Sequence, residues 1–302
     1  MPNPHVEPIE QTHRPHGTLR MRPRSAGNYV QTCNHVYAEA DGVGLVMDVF
    51  QPDGPTNGRA IVDVISGAWR SDRPRLNEHI GMGVIDALCA AGYTVFAVAP
   101  GSATLFTAHQ MVGHIHAAIR HIRDHEERWN IDGSPLGLCG VSAGGHLAAL
   151  TALGPQAPVA KAKQSWFRQN TSVDAVGLFF PPSDLLDYGG AHFDFAREGE
   201  FAVPRLLFPD GLAGHSDGEI ETAAEAISPR HLVGTDHPPL WIAHATGDAV
   251  VPYSQSAQFV ETLEAAGNDV TFVTHEGPGH LWPTVTGACE DLAHWFDQHL
   301  LP

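Results

Sequence analysis

Residues 136–150 read Leu-Gly-Leu-Cys-Gly-Val-Ser-Ala-Gly-Gly-His-Leu-Ala-Ala-Leu. A short apolar run leads through a Gly-x-Ser-x-Gly turn into an alanine- and leucine-rich segment, which indicates a strand, a sharp turn and a helix. Ser142 lies at the apex of the turn. The flanking residues Gly140 and Gly144 have no side chains that would bury its hydroxyl. The stretch therefore predicts an exposed serine nucleophile.

A second Gly-x-Ser-x-Gly pattern, residues 214–218, shows that the pattern alone is not specific. Its serine, Ser216, follows Pro209-Asp210-Gly211 and has no apolar strand before the turn. Ser142 has both the strand and the helix, and we assign the nucleophile to it on that context. The alternative is that Ser142 is an incidental serine in a glycine-rich turn.

The rest of the chain predicts an α/β fold with a mostly parallel, eight-stranded sheet. Alternating segments at 29–39 and 44–51 flank Asp41-Gly42 and predict a hairpin of antiparallel edge strands. Further along, apolar runs alternate with segments of helical periodicity, which indicates parallel strands with crossover helices on both faces. The predicted strands are 60–65, 93–99, 136–141, 173–180, 240–246 and 270–275, and the predicted helices are 79–91, 107–129, 145–153, 254–266 and 284–300.

The 302 residues are predicted to form one domain, residues 28–302, preceded by an extended arm, residues 1–27. The arm is rich in proline, histidine and arginine, and packing on the acidic body and packing on a second subunit both remain open. Residues from about 181 to 239 break the alternation of strands and helices. An irregular stretch of that length predicts an inserted cap or lid.

A serine nucleophile needs a histidine and an acid, and both occur at predicted strand ends. Asp248 follows the strand that ends near residue 246, and His280 lies in the loop after the next strand. The carboxyl ends of parallel strands meet at one edge of the sheet, where a crevice forms. We therefore predict a Ser142, His280 and Asp248 triad, with Asp248 as a simple turn residue as the alternative. Three nearby residues are interpreted as core, wall or strand-end residues instead: His244, His275 and Glu276.

The turn Ser66-Gly67-Ala68-Trp69 follows the first predicted parallel strand and is interpreted as the oxyanion loop. A tetrahedral intermediate requires N–H donors aimed at its oxygen, and small residues let the backbone approach closely. We predict the donors to be the N–H groups of Gly67, Ala68 and Ala143. Trp69 and Trp282 adjoin this loop and the histidine loop, and both are predicted to form walls of a substrate pocket.

Several motifs together resemble the α/β-hydrolase superfamily, and within it the hormone-sensitive-lipase-like and feruloyl- or acetyl-esterase-like branch. They are Gly-Val-Ser-Ala-Gly-Gly-His at 140–146, Ile-Ser-Gly-Ala-Trp at 65–69, Ser-Pro-Arg-His-Leu-Val at 228–233, His-Ala-Thr-Gly-Asp at 244–248 and Gly-Pro-Gly-His at 277–280. The likeness runs from about residue 32 to the end of the chain. It implies an α/β-hydrolase fold with a cap and ester hydrolysis without a metal or organic cofactor.

The oxyanion loop departs from the pattern of that branch. Ile65 and Ser66 occupy positions where His-Gly-Gly-x-Trp would place a histidine and a glycine. The histidine of the family pattern commonly braces the loop. The departure therefore puts the geometry of the donors in question.

Composition and charge narrow the class of partner. A formal net charge of −17 and only two lysines disfavour nucleic acid and anionic membranes. Neither a signal peptide nor a membrane span is recognisable, so a cytoplasmic location is predicted, and a homo-oligomer is compatible with the sequence. The histidine-rich helix at 107–129 is interpreted as a solvated or packed face and not as a metal site.

The prediction is a serine esterase that acts on a small-molecule ester with a small to medium acyl group. An amide or formamide hydrolase with the same triad remains an alternative, as does a hydrolase-fold binding protein without activity. A group of apolar residues within 181–239 either lines an acyl pocket or forms a small core of its own: Phe193, Phe195, Phe201, Leu206, Leu207 and Phe208.

Overall fold

The computed structural model describes residues 28–282 and 284–302, and these form one eight-stranded sheet with helices on both faces. The strands are β1 (Tyr29–Ala40), β2 (Val43–Pro52), β3 (Ala60–Val64), β4 (Thr94–Val98), β5 (Leu136–Val141), β6 (Ala175–Phe179), β7 (Leu240–Gly247) and β8 (Val270–Pro278). Their order in the sheet is β1-β2-β4-β3-β5-β6-β7-β8. The predicted α/β fold class is confirmed. The predicted arm, residues 1–27, lies outside the described residues.

Strand direction follows the sequence pattern. The β1–β2 and β2–β4 pairs are antiparallel, and all the other pairs are parallel. Asp41 and Gly42 connect β1 and β2 with positive φ angles of 50° and 76°. Two consecutive positive φ angles are those of a type I′ hairpin turn, for which Asp-Gly is a favoured sequence.

Eight α-helices are seen among the described residues. They are α1 (Arg73–Met82), α2 (Val84–Ala90), α3 (Ala108–Asp124), α4 (Glu126–Trp129), α5 (Ala143–Leu153), α6 (Asp217–Ala226), α7 (Ser254–Ala265) and α8 (Val285–Leu300). Short 3₁₀ turns occur at Ser165–Arg168, Gly199–Phe201 and Pro229–Leu232. None of the helices in this part of the chain is both long enough and apolar enough to cross a membrane.

Apolar side chains bury the sheet on both faces. Ile115, Leu147 and Phe259, from α3, α5 and α7, belong to the hydrophobic cluster on one face. Leu88 and Leu292, from α2 and α8, belong to the cluster on the other face. Every residue of β3, β4, β5 and β6 is buried, as expected for central strands of a parallel sheet.

Helix boundaries were the least accurate part of the sequence prediction. The predicted helix 79–91 is in fact two helices, because Gly83 lies at a φ of 97° and ends α1. The first of them begins earlier, where the side chain of Asp72 accepts a hydrogen bond from the N–H of Arg75 as an N-cap. The predicted helix 107–129 is interrupted at His125, between α3 and α4.

Residues 181–239 connect β6 to β7 and contain α6 and two of the 3₁₀ turns. Phe195, Leu206 and Leu207 from this segment are buried in the same cluster as α3 and α5. The apolar residues of the segment therefore extend the main core and do not form a separate one.

Replacing Gly83 by alanine is expected to destabilise the fold by about 1–2 kcal/mol, because a Cβ is strained at positive φ. The added Cβ would also lie 3.1 Å from Cγ2 of Thr286. Urea unfolding followed by circular dichroism measures the change. Gly113→Ala is the matched control, since Gly113 is exposed within α3 with open space around it. That variant should gain up to about 1 kcal/mol. Equal effects of the two substitutions would contradict this reading of Gly83.

Candidate active site

Ser142 lies in the tight turn between β5 and α5, with φ 54° and ψ −122°. The turn is possible only because two backbone segments meet without side chains. A Cβ on Gly140 would lie 2.4 Å from the carbonyl oxygen of Gly144, and a Cβ on Gly144 would lie 2.3 Å from that of Val64. The strand–turn–helix predicted from the sequence is therefore present, and it holds the serine in a strained conformation.

The structure brings the three predicted triad residues together. His280 Nε2 is 3.1 Å from Ser142 Oγ, and His280 Nδ1 is 2.7 Å from Asp248 Oδ2. With Nδ1–H donated to the carboxylate, Nε2 carries a lone pair that accepts the serine hydroxyl. A hydroxyl bonded to an oriented imidazole is the arrangement that activates a serine as a nucleophile.

The carboxylate of Asp248 is buried, and it is held from several sides. Its Oδ1 accepts hydrogen bonds from the N–H groups of Val250 at 2.8 Å and Val251 at 3.0 Å. Burial raises the pKa of Asp248, but hydrogen bonds from His244, His280 and Val250 outweigh burial, so the pKa lies well below its ordinary value. Asp248 is consequently ionised under neutral conditions.

His244 contacts the carboxylate of Asp248, whereas the sequence predicted only a core or wall residue at this position. It is fully buried in β7, with Nε2 3.3 Å from Asp248 Oδ2 and 2.9 Å from the carbonyl oxygen of Val251. Its Nδ1 is 2.7 Å from Ser256 Oγ. The i, i+4 spacing of His244 and Asp248 across the end of β7 is the signal that could have identified this contact.

The oxyanion loop forms a two-residue turn. The N–H of Gly67 donates to the carbonyl of Arg70 at 2.9 Å, and the N–H of Arg70 donates back at 3.0 Å. Between them, Ala68 and Trp69 have φ angles of 48° and 55°. The prediction that Gly67 is an oxyanion donor is therefore wrong, because its N–H is used within the turn. In the described part of the chain, the N–H groups of Ala68 and Ala143 donate to no acceptor.

The loop is braced without the histidine of the family pattern. Ile65 is buried, and the carbonyl of Ser66 accepts the N–H of Gly144 at 2.9 Å. Trp69 Nε1–H donates to Nδ1 of His146 at 3.0 Å, and His146 Nε2 is 2.6 Å from the carbonyl of Ile227. Burial lowers the pKa of His146 to about 4. The ring is thus neutral with its proton on Nε2, and it anchors the loop to α5.

A cavity of about 480 Å³ opens beside Ser142 and His280. Part of its lining is apolar: Trp69, Phe180, Phe193, Phe201, Val251 and Leu281. Phe193 and Phe201 come from the 181–239 segment, so this segment contributes to the pocket as well as to the core. The cavity has the size and character of a small-molecule site.

Trp69 lines this cavity as predicted, whereas the prediction for Trp282 is wrong. Trp282 is only 3% exposed and lies outside the lining. Its ring packs on Phe180 at 5.7 Å between centroids and stacks on His275 at 5.3 Å. Phe180 in turn lies 4.3 Å from the His280 ring. Phe180 therefore separates Trp282 from the cavity.

The second Gly-x-Ser-x-Gly serine has a structural role. Ser216 is the N-cap of α6, where its hydroxyl accepts the Glu219 N–H at 3.4 Å and its backbone N–H donates to the Glu219 carboxylate at 2.8 Å. This reciprocal arrangement is a capping box. Its hydroxyl is therefore engaged in helix capping.

In residues 28–282 and 284–302, no group of three or more histidine, cysteine, aspartate or glutamate side chains is placed to hold a metal ion. On the histidine-rich α3, His114 Nδ1 is 2.6 Å from the carbonyl of Pro100. The ring of His121 stacks on that of His125 and contacts His35. These histidines are accounted for by local contacts.

The chain is similar in sequence to a protein family and to known esterases. Residues 47–263 match the BD-FAE family. Esterase LipC of Mycobacterium tuberculosis is 27% identical over 275 residues, which are 90% of this chain and 64% of LipC. The acetylxylan esterase of Xylanibacter ruminicola is 26% identical over 242 residues, 78% of this chain and 43% of that enzyme. This chain therefore spans about half to two thirds of the length of these relatives.

Solved structures show the same fold. A truncated carbohydrate esterase from gut microbiota superposes with a TM-score of 0.74 at 24% identity, covering 90% of this chain and 97% of that one. The esterase Est2 of Thermogutta terrifontis, solved with bound propionate, gives 0.66 at 25% identity, with 89% and 95% covered. Both likenesses extend over nearly the whole of each chain.

Asp248→Asn should make stability less sensitive to acid. Because the folded-state pKa lies below the ordinary carboxyl value of about 3.9, the unfolded chain binds the proton first. The stability contributed by this carboxylate is complete above that value and is lost as pH falls through the folded-state pKa. The free energy of unfolding, measured with denaturant near neutral pH and at about pH 3, should therefore differ less between wild type and variant in acid. A gap that widens in acid would contradict the assigned direction.

Proposed function

We propose that this chain, which belongs to the BD-FAE family, hydrolyses carboxylic esters through a covalent acyl-enzyme formed on Ser142. The observation that carries the proposal is the continuous hydrogen-bonded chain from Ser142 Oγ through the His280 ring to the buried carboxylate of Asp248. Matches to several esterases support ester bonds as the target.

In the first half-reaction, Ser142 Oγ attacks the ester carbonyl carbon while His280 Nε2 takes the hydroxyl proton. The carbonyl oxygen becomes an oxyanion and accepts hydrogen bonds from the N–H groups of Ala68 and Ala143. When the tetrahedral intermediate collapses, the bond to the alcohol oxygen breaks and His280 returns the proton to that oxygen. The alcohol leaves, and the acyl group stays on Ser142.

In the second half-reaction, a water molecule replaces the alcohol. His280 takes a proton from the water as its oxygen attacks the acyl carbon, and the same two N–H groups bind the second oxyanion. Collapse breaks the bond to Ser142 Oγ, and the proton returns to the serine. Asp248 stays ionised throughout, because it stabilises the imidazolium that forms twice per turnover.

The arrangement argues against a binding protein without activity, since Ser142, His280 and Asp248 are joined by hydrogen bonds. The cavity of about 480 Å³ fits an acyl group of small to medium size. We assign ester over amide hydrolysis on the esterase relatives, as the geometry serves both bonds.

We further propose that residues 181–239 act as a cap over the site. Five residues of this segment line the cavity: Pro182, Tyr188, Phe193, Arg197 and Phe201. Tyr188 also donates its hydroxyl to the carbonyl of Val250, in the loop that carries Asp248, at 3.1 Å. The segment thus contacts both the substrate space and the acid loop.

Ser142→Ala should abolish reaction with a fluorophosphonate probe and lower kcat/KM for p-nitrophenyl butyrate by about 10⁴-fold or more. The Ser142→Ala/His280→Ala double variant should lose no more than the single variants, because the residues act as one unit. Mass spectrometry locates the adduct, and circular dichroism checks the fold.

Ser216→Ala is the matched control, because Ser216 lies in the same short pattern but caps a helix. This variant should keep both labelling and turnover. An adduct on Ser216, or losses that multiply in the double variant, would refute the assignment of the nucleophile and its base.

A further inference from the structure

A second histidine–carboxylate pair lies beside the triad. Asp63 is fully buried within β3, and both of its carboxylate oxygens are 2.9 Å from Nδ1 of His79 on α1. The thiol of Cys139 is 3.7 Å from Oδ1. A carboxylate in the middle of an otherwise apolar central strand is costly to bury unless it is paired. The mechanism proposed above uses neither Asp63 nor His79.

The orientation of His79 leaves a polar atom available to a ligand. With Nδ1–H donated to Asp63, the lone pair of the ring is on Nε2. No described residue forms a hydrogen bond with Nε2, and His79 lines the same cavity as Ser142. The pair therefore presents an imidazole in the way that Asp248 presents His280, but away from the serine hydroxyl.

Two further unpaired polar atoms belong to the same wall of the cavity. Ser66 is 1% exposed, and its Oγ has no hydrogen-bond partner within the described chain. The Nε of Arg75 is likewise buried and without a partner there. A Cβ built on Gly67 would lie 2.6 Å from Cδ of Arg75, so the Arg75 side chain covers the oxyanion turn. All three side chains, Ser66, Arg75 and His79, line the cavity.

We propose that Ser66, Arg75 and His79 form a subsite that binds a hydroxyl group on the non-reacting part of the ester. The inference rests on the proposed function, because it takes the cavity to hold the ester. Buried polar groups without partners are costly, and a substrate hydroxyl would satisfy them. A hydroxyl can donate to Nε2 of His79 and accept from Arg75 or Ser66 at the same time.

The charges of the wall favour a neutral ligand group over an anion. Arg75 Nη1 is already 2.5 Å from the carboxylate of Glu78, which also lines the cavity. Asp63 places a second carboxylate directly behind His79. Since two carboxylates, Glu78 and Asp63, accompany the one guanidinium of Arg75, the wall offers no surplus of fixed positive charge.

The test compares pairs of esters that differ only in hydroxyl groups. For the alcohol side the pair is 2,3-dihydroxypropyl butyrate and propyl butyrate. For the acyl side the pair is p-nitrophenyl 3-hydroxybutyrate and p-nitrophenyl butyrate. Wild type should show a kcat/KM about tenfold higher for the hydroxylated member of at least one pair, as one well-placed hydrogen bond provides. The pair that responds identifies which side of the ester reaches the subsite.

Two variants test the residues. Ser66→Ala removes an unpaired hydroxyl, and Asp63→Asn/His79→Phe removes the imidazole together with the charge behind it. Each should bring the ratio of the two kcat/KM values of the responding pair towards one, and this ratio is the readout whatever the change in kcat/KM of the hydroxyl-free member. His215→Phe is the control, since His215 is also paired with a carboxylate, that of Asp210, but neither residue lines the cavity. This variant should keep the wild-type ratio.

The outcomes separate this inference from the proposed function. Equal kcat/KM within both ester pairs in wild type, or a preference that survives in the folded variants, would overturn the subsite. If the Asp63→Asn/His79→Phe protein does not fold, Ser66→Ala decides. Failure of wild type to hydrolyse the hydroxyl-free esters would instead refute the esterase proposal itself.

Discussion

The site depends on a contact between backbones that leaves no room for side chains. At Gly140 and Gly144 the end of β5, the start of α5 and the end of β3 approach so closely that a Cβ would overlap a carbonyl group. The N–H of Gly144 also donates to Ser66, so the helix that follows the serine is bonded to the oxyanion loop. The separation of Ser142 from the N–H groups of Ala68 and Ala143 is thereby set by the backbone.

The sequence was sufficient to predict the site residues that lie at the ends of strands. Asp248 and His280 could be predicted because parallel strands place their carboxyl ends at one edge, whatever the exact boundaries of the elements. It was insufficient to predict the roles of residues that depend on local contacts. The N–H of Gly67 donates across a two-residue turn, and Phe180 lies between Trp282 and the cavity. Neither contact can be recognised from the periodicity of the sequence. His244 was missed as a contact of the acid, although its i, i+4 spacing from Asp248 could have indicated it.

Two imidazoles reach the cavity, and the environment of each carboxylate distinguishes their roles. Asp248 lies after β7, where two backbone N–H groups bond Oδ1 and leave Oδ2 for His280. Asp63 lies inside β3, where its side-chain contacts are His79 and the thiol of Cys139. The first arrangement stabilises an anion that, in the proposed mechanism, faces an imidazolium during turnover. The second fixes the direction of a ring that does not contact the serine.

The polar and apolar parts of the cavity come from different parts of the chain. Ser66 belongs to the loop that follows β3, and Arg75 and His79 belong to α1, which begins after this loop. Phe193 and Phe201 come from the 181–239 segment, where Arg197 packs over both rings. This segment also contacts the oxyanion loop, because the Phe193 ring packs on Trp69 and the carbonyl of Ile227 bonds the His146 ring that holds Trp69. On the polar side, the side chain of Arg75 lies directly against Gly67. The polar and the apolar parts of the cavity both contact the oxyanion loop, so packing couples each of them to the position of this loop.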